Sequence, residues 1–128
     1  MENRTPLVLV VDDEEPLATL AALFLTRAGL KTIKANSGGQ ALDLWTPNVD
    51  LLLTDCAMPG LFGEQLALRL LERNSTLKVL FMSGNTPESL DSSIPLRAGV
   101  NFIQKPFISS DLVDFVLNAL GRDELVSA

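Results

Sequence analysis

Short, continuous apolar runs alternate along the chain with longer segments whose apolar residues recur at helical spacing. The first run, residues 7–11, is rich in valine and has no polar alternation, as is typical of a strand buried on both faces of a parallel sheet. Pro16 then occupies a favourable first-turn position, residues 17–28 keep the helical spacing, and Gly29 is a natural helix terminator. The pattern predicts one strand followed by one helix.

The same pattern repeats through the rest of the chain. Further strands are predicted at residues 31–35, 50–55, 77–82 and 100–104. Two further helices are predicted from serine caps: one from Ser37 to about Trp45, and one from Ser110 to Leu120. Two more are predicted over the leucine-rich segment after Gly63 and over residues 86–93. Five strands alternating with five helices predict a doubly wound α/β fold with a parallel sheet. The fourth helix has the weakest pattern, because Pro95 cuts it short.

Length and composition limit the domain count and exclude several classes of function. With 128 residues, 47% of them hydrophobic, the chain can bury a sizeable core. We expect a single domain over 1–128, with a core at about 6–121 and a short tail at 122–128. The 16 acidic and 10 basic residues give a net charge of -6, which argues against binding to nucleic acid. Neither a signal peptide nor an apolar run of the roughly 20 residues that cross a bilayer is present, so we expect no membrane insertion.

Two residue types are informative through their scarcity. The chain has no histidine, which excludes Ser-His-Asp and Cys-His catalysis, histidine metal sites and a phosphohistidine on this chain. Cys56 is the single cysteine, so an intramolecular disulfide and the usual thiolate zinc sites are also excluded. This cysteine content fits a reducing, cytoplasmic compartment, and we expect Cys56 to be a packing residue.

Polar side chains stand where the predicted strands end. Asp12 and Asp13 follow the first strand, Asp55 the third, Ser83 the fourth and Lys105 the fifth. Ligands of doubly wound sheets bind at the carboxyl ends of the strands, where these side chains would meet. Any one of the acids alone could simply cap the next helix. Their occurrence together at successive strand ends favours a functional site.

The residue types at these strand ends suit phosphoryl transfer to a carboxylate. Three crowded carboxylates would have raised pKa values unless a cation joined them, and Mg²⁺ prefers such oxygen ligands. Lys105 offers a positive charge to an oxyanion, and Ser83 offers a hydroxyl donor. Asp55 would need no histidine base as a nucleophile, because a carboxylate is already ionised at neutral pH.

The motifs at the strand ends together resemble those of response-regulator receiver domains of two-component and phosphorelay signalling. They are Asp12-Asp13, residues 55–60 with Gly63, Ser83-Gly84, and residues 105–107. The resemblance covers about residues 6–121 and implies a flavodoxin-like sheet with strand order 2-1-3-4-5. Residues 78–84 particularly resemble receivers attached to hybrid sensor histidine kinases. Whether the chain acts alone or is a piece of such a kinase stays open.

The resemblance implies a phosphoacceptor and a metal site. Asp55 would accept a phosphoryl group from a phosphohistidine on a histidine kinase or a histidine phosphotransfer protein. Asp13 and Asp55 would ligate Mg²⁺ (or Mn²⁺) directly, the backbone carbonyl of Ala57 would help, and Asp12 would act mainly through water.

The resemblance also implies a conformational switch. Ser83 would follow the phosphoryl oxygen, Lys105 would pair with it, and Phe102 would be the switch aromatic, a position that is often tyrosine in the family. The peptide bond between Lys105 and Pro106 would be cis. Ala57 and Asn85 lie where the family tunes the rate of dephosphorylation.

A docking surface for the phosphodonor is predicted beside Asp55. An exposed apolar patch rimmed by acids would suit a helical partner, and its predicted residues are Leu17, Ala21, Pro106 and Phe107. Other apolar residues of the first helix, Leu20, Leu23 and Phe24, are expected to pack against the sheet. Because many receivers dimerise through the face that includes the fourth helix, its weak pattern leaves a monomer or a weak dimer as the expectation.

Two alternatives to a phosphoacceptor switch remain. A phosphatase of the haloacid dehalogenase type would be a true enzyme, but its Asp-x-Asp pair is expected after the first strand, where this chain has adjacent aspartates. A flavin-binding relative or an unphosphorylated interaction module is the other, although four acids after the first strand would repel a flavin phosphate. We therefore expect a signalling domain that is not an enzyme.

Overall fold

A computed structural model describes residues 4–121 of the chain. Its five strands form one parallel sheet in the order β2-β1-β3-β4-β5, which confirms the predicted doubly wound fold. The strands are β1 (Leu7–Val11), β2 (Lys31–Ala35), β3 (Leu51–Asp55), β4 (Lys78–Ser83) and β5 (Phe102–Gln104). The helices are α1 (Glu15–Arg27), α2 (Gly38–Leu44), α3 (Gly63–Arg73) and α4 (Ser109–Ala119). The predicted tail at 122–128 lies outside the described residues.

Helices cover both faces of the sheet, which explains the strands without polar alternation. Val8 and Val10 of β1 pack in one cluster with residues of α1 and α4, such as Leu25 and Leu112. Leu9 of the same strand packs in the other cluster with residues of α2 and α3. Because successive side chains of a strand point to opposite faces, a strand covered on both sides must be apolar at every position.

The predicted fourth helix is wrong, because the described chain has only a 3₁₀ turn at Pro87–Ser89 in that place. Beyond the turn, Glu64 of α3 accepts hydrogen bonds from Ser92 Oγ (2.8 Å) and from the backbone and hydroxyl of Ser93. These serines donate to a carboxylate instead of supporting a helix, and Pro95 has no backbone N–H to continue one. The connection between β4 and β5, residues 84–101, is called the crossover below.

Several helix ends agree with the sequence, and one does not. Ser37 caps α2, since its hydroxyl accepts a hydrogen bond from the Gln40 backbone N–H at 3.0 Å. The predicted Ser110 cap of the last helix is wrong, because α4 begins at Ser109 and its N-cap is Ile108, two residues before Ser110. The bond between Lys105 and Pro106 is cis, as the family resemblance implied.

The register of α1 differs from the prediction at its leucines. Ala18, Ala21 and Leu25 are fully buried against the sheet, whereas Leu20 and Leu23 are 41% and 42% exposed. The buried positions are three and four residues apart and lie on one stripe of the helix. Two small alanines on that stripe let the helix approach the sheet closely, which turns Leu20 and Leu23 outward. Within residues 4–121, no helix has the length and apolarity needed to span a membrane.

Candidate functional site

The carboxyl-terminal edge of the sheet gathers the polar residues that the sequence singled out. Asp12 follows β1, while Asp55 and Ser83 are the last residues of β3 and β4, and Lys105 follows β5. Carboxylate oxygens of Asp12, Asp13 and Asp55 all lie within 4.8 Å of one another. The parallel topology therefore brings together side chains up to 93 positions apart in sequence.

Lys105 links two of these carboxylates. Its Nζ donates a hydrogen bond to Asp12 Oδ2 at 2.6 Å and lies 3.2 Å from Asp55 Oδ1. Burial by itself would lower the pKa of Lys105, but the hydrogen bond to Asp12 and the charges of Asp55 and Asp12 outweigh it and raise that pKa. The ammonium therefore stays charged beside Asp55.

Asp12 is the fixed member of the cluster. Its side chain is fully buried, and its Oδ1 accepts a hydrogen bond from the Glu14 backbone N–H at 3.0 Å while Oδ2 faces Lys105. Asp13 points outward and is exposed. A cation joining the cluster would find the Asp12 oxygens already engaged and the carboxylates of Asp13 and Asp55 more accessible.

Asp55 has the perturbed carboxyl of the site. Burial raises its pKa from 3.8 to about 6; Lys105 opposes this shift, and the charges of Asp12 and Asp13 reinforce it. The carboxylate is thus ionised at neutral pH but poorly solvated, so a cation or an electrophile that reaches it relieves an unfavourable charge. These are the properties required of a nucleophile or a metal ligand.

Two neighbours of Asp55 have structural roles. Burial, together with the charge of Asp55, raises the pKa of the Cys56 thiol to about 12, so this thiol stays neutral. Gly63 begins α3 against the end of β3, where an added Cβ would stand 2.2 Å from the Asp55 carbonyl oxygen. Only glycine fits where the start of α3 lies so close to the end of β3. In the sequence, the sign of this close contact is a glycine at the first position of a helix with periodic apolar residues.

Ser83 and Phe102 connect the site to the core. Ser83 is buried, its Oγ accepts a hydrogen bond from the Asn85 backbone N–H at 3.0 Å, and its carbonyl accepts one from the Lys105 backbone N–H at 2.8 Å. Phe102, three residues before Lys105, is fully buried in the same apolar cluster as Phe81. A movement of Ser83 would therefore shift the neighbouring residues of β4 and β5.

A pocket of about 470 Å³ opens beside Asp55. Three residues of the predicted docking surface, Leu17, Pro106 and Phe107, line it together with Ala57 and Ser83. The pocket is also lined by residues that the predicted docking surface does not include, namely Glu14, Leu20, Gly84 and Asn85. The prediction for Ala21 is wrong, because its side chain is fully buried in the apolar cluster between α1 and the sheet. Leu20 supplies the apolar surface expected of Ala21.

Known proteins share this chain's pattern of residues and its fold. The response regulator receiver domain family matches residues 8–117. The chain is 35% identical over 116 residues to the transcriptional regulatory protein CpxR of Escherichia coli, across 90% of this chain and 49% of CpxR. The chain spans half or less of the length of such curated relatives.

Solved structures agree with these sequence relatives. The receiver domain of the hybrid histidine kinase CckA is 29% identical, has a TM-score of 0.73, and is matched over 89% of this chain and 98% of that one. A chain of the CheX–CheY–BeF3–Mg²⁺ complex from Borrelia burgdorferi has a TM-score of 0.76 at 22% identity, over 90% of this chain and 89% of that one. The latter likeness concerns the fold alone.

Proposed function

Since this chain belongs to the response regulator receiver domain family, we propose that it is a phosphoacceptor switch in which Asp55 receives a phosphoryl group from a partner's phosphohistidine. The observation that carries the proposal is the position of Asp55: its carboxylate lies in a cluster of three and 3.2 Å from the Lys105 ammonium. The absence of histidine from the chain means that the donor histidine belongs to another polypeptide or to a part of the protein outside this sequence.

The donor set fits a Mg²⁺ or Mn²⁺ ion. Hard divalent cations take oxygen ligands, and three carboxylates within 4.8 Å supply them at a place where the buried Asp55 lacks a full counter-charge. Asp13 and Asp55 would hold the ion directly, helped by the backbone carbonyl of Ala57, with Asp12 acting through water. Bound there, the ion would neutralise negative charge on the phosphoryl oxygens.

In the transfer step, an Asp55 carboxylate oxygen attacks phosphorus and forms an O–P bond. The N–P bond of the phosphohistidine breaks, its electron pair stays on the imidazole, and the imidazole takes a proton from solvent. Lys105 can follow the phosphoryl oxygens, because its Nζ already lies beside Asp55. No base on this chain is required, since Asp55 is ionised above a pKa of about 6.

The conformational response would start at Ser83. Its hydroxyl would donate a hydrogen bond to a phosphoryl oxygen, and its present contact with the Asn85 backbone would have to adjust. Phe102 would repack in response, because β4 and β5 are paired from Phe81 opposite Phe102 to Ser83 opposite Gln104. Lys105 belongs to the same segment and would move with them.

The pocket beside Asp55 suits the donor. Its apolar rim, made by Leu17, Leu20, Pro106 and Phe107, would receive a helix of a histidine kinase or of a histidine phosphotransfer protein. The similarity to the CckA receiver supports a phosphorelay setting of this kind. We further propose a cytoplasmic location, consistent with a single free cysteine, and no direct contact with nucleic acid.

Incubation with acetyl phosphate and Mg²⁺ tests the proposal. Intact-mass measurement should show one added phosphoryl group on the wild-type chain, none on Asp55→Asn, and none when EDTA removes the cation. An exposed acid outside the cluster, changed in Asp43→Asn, is the matched control and should still be phosphorylated. A wild-type chain that gains no mass would refute the proposal. Rapid multiple turnover on a small phosphomonoester would instead favour the phosphatase alternative.

A further inference from the structure

A second groove, of about 330 Å³, lies on the other side of Ala57 from the Asp55 pocket. One wall is the beginning of α3 and the other is the crossover. The groove walls are mainly apolar: Phe81 is buried beneath, Leu90 and Leu96 are partly buried, and Phe62 at the rim is 57% exposed. An exposed aromatic beside a preformed apolar groove is typical of a binding surface.

The crossover wall is held in place by hydrogen bonds that its serines donate to α3. The Glu64 carboxylate accepts hydrogen bonds from Ser92 Oγ and from both the N–H and the hydroxyl of Ser93. These bonds join segments 28 and 29 positions apart, so the groove is preformed although its wall is not a helix. A preformed groove loses little conformational entropy when a partner binds.

The charge on the groove is of one sign. Glu64 and Asp91 line it, and no lysine or arginine does. Hydrogen bonds from Ser93 lower the pKa of Glu64, so its carboxylate is anionic at neutral pH. Asp91 is exposed and takes part in none of the ion pairs within residues 4–121. Its charge is therefore available to a partner.

We propose that this groove docks a partner polypeptide segment that presents an apolar side chain next to an arginine or a lysine. The apolar side chain would enter between Phe62 and Leu90, and the basic group would face Glu64 and Asp91. The acidic rim disfavours an acidic segment and also a second copy of this chain, whose net charge is -6. The proposal goes beyond phosphorylation of Asp55, because docking is expected on the unmodified chain.

Three capped dipeptides are the probes: acetyl-phenylalanyl-arginine amide, its glutamate counterpart, and acetyl-glycyl-arginine amide. They are titrated into the unphosphorylated full chain, and backbone amide shifts are followed by NMR. We expect the phenylalanyl-arginine probe to shift amides of Phe62, Gln65 and Leu90 and to bind at least about fivefold more tightly than either of the others. Its affinity should fall as salt is raised.

Variants separate the charge of the groove from its fold. Asp91→Asn should weaken binding of the phenylalanyl-arginine probe about two- to fivefold, which is the contribution of one exposed ion pair. Phe62→Ala should weaken it similarly by removing apolar surface. Glu88→Gln is the matched control, because Glu88 is exposed on the same crossover but does not line the groove. It should change the affinity by less than about twofold at the same salt concentration.

Three results would overturn the proposal. One is equal binding of the arginine and glutamate probes, which would mean that the acidic rim does not select. Another is equal binding of the glycyl-arginine probe, which would indicate a site for organic cations alone. The third is a concentration-dependent shift of groove amides without any probe, which would assign the groove to self-association. Because the probes are tested without phosphate, failure here leaves the phosphorylation of Asp55 to its own assay.

Discussion

In the absence of divalent cations, Asp55→Asn should stabilise the folded chain at neutral pH. Burial raises the Asp55 pKa from 3.8 to about 6 against the opposing effect of Lys105. A carboxyl with a raised folded-state pKa binds more protons folded than unfolded, so the free energy of unfolding falls as pH rises from about 4 to 6 and stays low above that. The shift of about 2 units corresponds to about 3 kcal/mol as an upper limit.

The gain expected for the substitution is smaller than that limit, at about 1–2 kcal/mol. The Asp55 side chain keeps 12% of its exposure, and asparagine loses part of the attraction to Lys105 while keeping an oxygen that can accept its hydrogen bond. Lys105 also keeps its 2.6 Å partner Asp12, so no buried charge is left alone. The amide has nearly the shape of the carboxylate, and core packing should not change.

Urea unfolding of both chains in EDTA, at about pH 7.5 and pH 5, measures the effect. Both values lie above the pI of about 4.5, and the advantage of Asp55→Asn should shrink toward the lower pH, where the wild-type carboxyl is protonated in the folded state. Adding Mg²⁺ should stabilise the wild type more than the variant. Asp43→Asn, on the exposed side of α2, should show no such pH dependence. An Asp55→Asn chain that is no more stable at pH 7.5, or whose advantage is independent of pH, would refute the reasoning.

Three further substitutions test the surroundings of the site. Gly63→Ala should lower the free energy of unfolding by about 1–3 kcal/mol, because the added Cβ would meet the Asp55 carbonyl oxygen. Gly39→Ala is the control and should not lower it, because its added Cβ would have no neighbouring atom nearer than 4.0 Å. Equal urea midpoints for the two variants would contradict this reasoning. Phe102→Ala should lower the free energy of unfolding by about 3–5 kcal/mol, because it leaves a cavity in the core. A decrease below about 1 kcal/mol would mean that the Phe102 ring is not packed in the core as described. Lys105→Met should raise the Asp55 pKa above about 6, because Lys105 lowers that pKa in the wild-type chain. NMR titration of the Asp55 carboxyl carbon measures the change, and an unchanged pKa would mean that the two groups do not interact.

The parts of the fold that depend on local pattern were predictable. The strands read as uninterrupted apolar runs because both faces of the sheet are covered, and the site followed because residues after parallel strands must share one edge. Asp12 and Asp55 could therefore be brought together from the sequence alone. The structure adds the order within the cluster: Asp12 is the buried partner of Lys105, and Asp13 is the exposed acid.

Features that depend on one element's placement against another were not predictable. The apolar residues of α1 form more than one stripe along the helix, so periodicity alone does not say which stripe is buried. Contact with the sheet buries the stripe through Ala18 and Ala21 and leaves Leu20 and Leu23 exposed. A small residue at the contact and a large one at the surface invert the usual expectation that leucines are inside. For the same reason, the sequence predicts Ala21 instead of Leu20 in the docking surface.

The missing fourth helix has a physical explanation in the crossover itself. Leu90, Ile94 and Leu96 still pack against the apolar cluster under β4 and β5, so burial of apolar surface, the main gain from a packed helix, is retained. What the crossover gives up is the backbone hydrogen bonding of a helix, and Glu64 replaces part of it by accepting hydrogen bonds from Ser92 and Ser93. Four residues of this non-helical crossover line the groove proposed for docking: Leu90, Asp91, Ser92 and Leu96. The segment that replaces the predicted helix therefore also forms one wall of that groove.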